Sequence, residues 1–118
     1  MKHIIISSLY LVILFCISKF VFESTHLYYE LLWLDIPMHI MGGFGVASLT
    51  GAILSYKGLK VSYIKLFLAY LVIAFAWELY EYAYDYILVK KWNGWVDTIA
   101  DLINGFIGMS AAYFIVRK

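Results

Sequence analysis

A single cysteine, Cys16, stands in the 118 residues, so neither an intramolecular disulfide framework nor a thiolate metal cage can form within one chain. Charge is equally scarce. Charged residues make up 14% of the chain and the formal net charge is +1, which gives no basic field for tracking phosphates and excludes nucleic-acid binding. No His-Glu-x-x-His or comparable zinc signature is present, and no phosphate-binding glycine loop. Ser7, Ser8 and Ser55 fall away from the acidic residues, so no Ser/His/Asp arrangement or cysteine nucleophile presents itself. A linker, an internal repeat and a second domain are also missing.

What the chain has is apolar length. Hydrophobic residues account for 64% of it, and the mean hydropathy is +0.84, well above that of a soluble domain. Four apolar segments, at 4–22, 36–55, 62–84 and 97–116, each approach the roughly 20 residues needed to cross a bilayer core. The fold class predicted is all-α: one integral-membrane four-helix bundle occupying residues 1–118. The first run follows Lys2 and His3 like a signal-peptide core. It lacks a small-x-small cleavage site and reads as a retained anchor. Cys16, inside this run and preceded by Phe15 rather than a small residue, reads as a lipid-facing or packed residue and not as a lipoprotein site.

The lysine distribution predicts orientation. Lys2, Lys57, Lys60, Lys65, Arg117 and Lys118 fall on one side, against Lys90, Lys91 and Lys19 on the other, which puts both termini in the cytoplasm of a multi-pass plasma-membrane protein. Tyr28, Tyr29, Trp33, Tyr80, Trp92 and Trp95 read as an interfacial aromatic belt, and Asp85 and Lys90 as solvated connector residues.

The polar residues within the spans are spaced as helical stripes. Asp35, His39, Gly42 and Val46 share one stripe of span two; Glu78, Glu81, Tyr82 and Asp85 one of span three; Asp97, Asp101, Asn104, Gly105 and Gly108 one of span four. Lipid cannot receive such groups, so the stripes are expected to converge near the outer face, with Glu78 and Glu81 opposite His39 and Asp101. Gly42-x-x-Gly45 and Gly105-x-x-Gly108 offer smooth surfaces for close helix packing. Asp35, ahead of Pro37, and Asp97, behind Trp95 and Val96, are also N-cap candidates. Glu78 and Glu81 have no such structural reading. They sit toward the carboxyl end of span three, where the helix dipole disfavours negative charge, and need protons, a cation or a positive partner.

Three functions fit this pattern. His39, Glu78 and Asp101 can ligate a divalent metal such as zinc, manganese or iron, which would serve a metal-dependent lipid-modifying hydrolase or transferase. The cluster can instead bind a cation, or the head group of a lipid or amphiphilic drug, without chemistry. It can also be a polar clamp in a structural or partner-binding membrane subunit, with glycine faces that would suit a homo-oligomer. Asp35-x-x-x-His39, an acid late in the next span at Glu78 or Glu81, and Asp97-x-x-x-Asp101-x-x-Asn104-x-x-x-Gly108 together resemble the VanZ-like family of small multi-span bacterial membrane proteins. The resemblance covers roughly residues 35–108. It implies a helical bundle at the cell envelope, with a link in some members to low-level glycopeptide (teicoplanin) resistance.

Overall fold

The computed structural model describes residues 1–19, 35–84 and 95–116. They form four helices: α1 (Lys2–Cys16), α2 (Asp35–Tyr56), α3 (Tyr63–Tyr84) and α4 (Trp95–Val116). Among the described residues there is no strand. The chain is a helical membrane protein. All four helices are long and apolar enough to cross a bilayer, and at 1.5 Å per residue the 22-residue helices reach roughly 33 Å, enough for a 30 Å hydrocarbon core. Their outward faces carry Val72 and Leu79, 69% and 68% exposed, an apolar surface suited to lipid.

The link between α2 and α3 shows how local chemistry sets an antiparallel turn. Gly58 adopts φ 74°, a left-handed conformation that glycine takes without penalty. The Leu59 N–H then donates to the Leu54 carbonyl at 2.8 Å and the Gly58 N–H to the Ser55 carbonyl at 3.0 Å, closing α2 as a Schellman motif. Ser62 starts α3: its hydroxyl accepts from the Lys65 N–H at 3.4 Å, while the Lys65 ammonium donates to the Lys60 carbonyl at 3.0 Å.

The core is small and lies among α2, α3 and α4, where Ala47, Leu66, Tyr70, Met109 and Ala112 are buried together. Glycines decide how closely the helices approach. A Cβ at Gly43 would overlap the Gly105 carbonyl, and one at Gly108 would overlap the Ile40 carbonyl, so α2 and α4 pack backbone to backbone. Gly45 abuts Tyr10 and Leu11 of α1, and Gly105 abuts the Tyr70 ring of α3. Gly42 meets open space. The packing residue on the α4 side is therefore Gly43 and not Gly42. Residues 43 and 45 lie roughly 200° apart on a helix, so α2 presents one glycine to α4 and another to α1.

Helix α1 buries none of its residues. It leans on α2 through the Tyr10 hydroxyl, which donates to the Met41 carbonyl at 2.9 Å, and through a tilted contact between the Tyr10 and Phe44 rings, 6.3 Å apart. Cys16 is exposed on it. Past Cys16 the chain widens into a π-helical turn over 17–19, a form often found at functional positions.

The Tyr70 hydroxyl donates to the Leu102 carbonyl, tying α3 to α4 across the core. Tyr70→Phe keeps the ring and removes this bond. It should lower stability by about 1 kcal/mol in a detergent unfolding titration; an unchanged midpoint would show that the bond adds nothing.

Candidate metal centre

The alternating helices bring the amino ends of α2 and α4 and the carboxyl end of α3 to the same end of the bundle. His39 lies in the second turn of α2 and Asp101 in the second turn of α4. Their imidazole Nε2 and carboxylate Oδ1 are 3.3 Å apart, with the side chains 15% and 4% exposed. The glycine seam accounts for this approach. Gly43 and Gly105 stand four residues beyond His39 and Asp101, so a close backbone contact between α2 and α4 lies one turn below the pair.

Helix α3 contributes Glu78 and Glu81. One ligand atom from each of His39, Glu78, Glu81 and Asp101 can be chosen so that all four lie within 4.8 Å of one another. Donors around a tetrahedral ion at about 2.0–2.1 Å are roughly 3.3–3.4 Å apart, which the 3.3 Å His39 to Asp101 separation matches. The donor types fit as well. One imidazole and up to three carboxylates suit zinc, manganese or iron(II). Crowding three carboxylates into this space is repulsive, and a divalent cation or shared protons would relieve it.

Glu81 is held by its own helix. The Trp77 indole N–H donates to Glu81 Oε1 at 2.8 Å, one turn away, where i and i+4 side chains meet. Trp77 is a site residue that the sequence reading missed, although its four-residue spacing from Glu81 was available. No family model, curated protein or solved structure matches this chain.

Of the other polar candidates, Asn104 is half-buried on α4, three residues past Asp101. Tyr82 is 43% exposed and faces outward from α3. The backbone of Asp35 opens α2, and that of Asp97 lies within the first turn of α4, which begins at Trp95. Asp97 is thus an in-helix residue rather than the N-cap, a position where a carboxylate still gains from the helix dipole. The side chains of Asp35, Asp97 and Trp95 lie outside the described residues, as do Tyr28, Tyr29, Trp33, Asp85, Lys90, Lys91, Trp92, Arg117 and Lys118.

Proposed function

We propose that this membrane protein binds a divalent transition metal between α2, α3 and α4, with His39, Glu78, Glu81 and Asp101 as ligands. The observation that carries this reading is the meeting of four potential ligand atoms from three helices within 4.8 Å. A polar clamp would need only pairwise hydrogen bonds. The mixed donor set and the backbone seam beneath it are what a preformed cation site requires. The test is metal content by mass spectrometry on protein purified in mild detergent without chelator. A folded but metal-free protein would overturn the reading.

The lysine bias supports an orientation with this end of the bundle at the outer face of the plasma membrane and both termini inside. An ion held there would polarise a phosphoryl or ester oxygen, or activate water against it, which is the route by which the same residues would serve a lipid-modifying hydrolase or transferase. A role in teicoplanin tolerance rests on the VanZ-like resemblance alone.

Trp77 supplies a graded test. Trp77→Phe keeps an aromatic ring but removes the N–H that orients Glu81, and metal retention should weaken roughly ten-fold, as for other outer-shell partners of metal ligands. Chelator competition measures this directly; equal retention would remove Trp77 from the site.

A further inference from the structure

The end of the bundle opposite the candidate metal centre gathers charge of one sign. Lys57 and Lys60 lie in the link between α2 and α3 and Lys65 in the first turn of α3, all three exposed. Helix α1 brings Lys2 to the same end, because its Tyr10 meets Met41 and its Phe15 meets Trp77, toward the other ends of α2 and α3. No Asp or Glu occurs between Ile36 and Trp77. Every acidic residue of the chain falls within 23–35, 78–85 and 97–101, segments that in sequence adjoin the metal-site end.

The link also sits at the level of lipid head groups. The spans on either side of it end at Tyr56 and begin at Tyr63. Lys65, inside the second of them, turns its ammonium back to donate to the Lys60 carbonyl at 3.0 Å, as long basic side chains do near a membrane surface. An ammonium has three donors, so this bond leaves two for a ligand. The left-handed turn at Gly58 and the Lys65 bond together fix the backbone that carries Lys57 and Lys60. Leu59 and Ile64 stand among the lysines, 51% and 58% exposed, so basic and apolar side chains are interleaved on one short segment.

We propose that this link is a binding site for an anionic phospholipid of the adjoining leaflet, its phosphate held by Lys57, Lys60 and Lys65 and its acyl chains against Leu59 and Ile64. Charge complementarity selects the occupant. Lysines gathered just outside a span draw lipids of net negative charge, and a stretch without Asp or Glu brings no carboxylate of its own to compete. Leu59 and Ile64 select a lipid over a soluble phosphate, which would leave both side chains uncovered. The site is separate from the metal centre, since Lys57 stands roughly 27 Å from His39 along α2 at 1.5 Å per residue.

Native mass spectrometry of the detergent-purified full chain with phosphatidylglycerol or phosphatidylcholine of identical acyl chains tests this. Wild type should retain phosphatidylglycerol about ten-fold more strongly, and the double variant Lys57→Gln, Lys60→Gln should bring the two lipids within about two-fold. Lys19→Gln, at the other end of the bundle, should leave the preference intact, and Leu59→Ser should weaken both lipids alike. Equal retention of the two lipids by wild type, or a loss of preference in Lys19→Gln as large as in the double variant, would overturn the proposal. So would displacement of phosphatidylglycerol by an equal concentration of glycerol phosphate, since the occupant would then be a soluble anion. The measurement needs no bound metal, so its outcome stands apart from that of the metal analysis.

Discussion

Wild-type protein is expected to carry about one equivalent of a transition metal through purification, and His39→Ala and Glu78→Gln are each expected to lose it. His39 is the only nitrogen donor in the set, and its loss leaves carboxylates that hold borderline metals less well. Glu78→Gln preserves size while replacing one acceptor oxygen by an NH2 donor and removing one negative charge, so it separates ligation from packing. Each should weaken metal retention by more than the roughly 10–100-fold that outer-shell changes cost. Circular dichroism alongside metal analysis makes the outcome decisive: variants that stay helical and keep their metal would show that these residues are not ligands.

The second large effect lies in the seam. Gly43→Ala and Gly108→Ala place a methyl group on a facing backbone carbonyl, which no side-chain rotation can relieve. Each should destabilise the bundle by about 3 kcal/mol, the upper part of the usual range for overpacking, and reduce metal retention, because parting α2 from α4 parts His39 from Asp101. Gly42→Ala is the matched control. Its Cβ meets nothing within 4 Å, and stability should stay within about 0.5 kcal/mol of wild type. Detergent unfolding midpoints for the three variants check this, and equal destabilisation at 42 and 43 would remove the seam as the explanation.

The contrast between neighbouring glycines shows what could and could not be read from the sequence. The helices and their all-α class were legible because apolar runs of this length leave few alternatives in lipid. The shared faces of Glu78 with Glu81, and of Asp101 with Gly105 and Gly108, followed from helical periodicity. Gly42-Gly43-Phe44-Gly45 was not resolvable in the same way. Several small-residue spacings overlap there, and which one meets a partner depends on the rotation of α2 between two neighbours. Tyr70 was equally hidden: mid-span, its hydroxyl is explained only by the Leu102 carbonyl that Gly105 allows it to approach. The peripheral place of α1 was signalled only indirectly, by a span without Asp, Glu or Gly beside three that carry converging polar stripes.

That peripheral place bears on how the protein is assembled. The residues proposed to hold the metal, the glycine seam and the buried core all belong to α2, α3 and α4, while α1 buries none of its residues. It supplies Phe15 to an apolar groove completed by Ile73, Ala76, Trp77 and Tyr80 of α3 and leans on α2 through Tyr10, so a sideways displacement of α1 would widen or close that groove while leaving the three-helix unit intact.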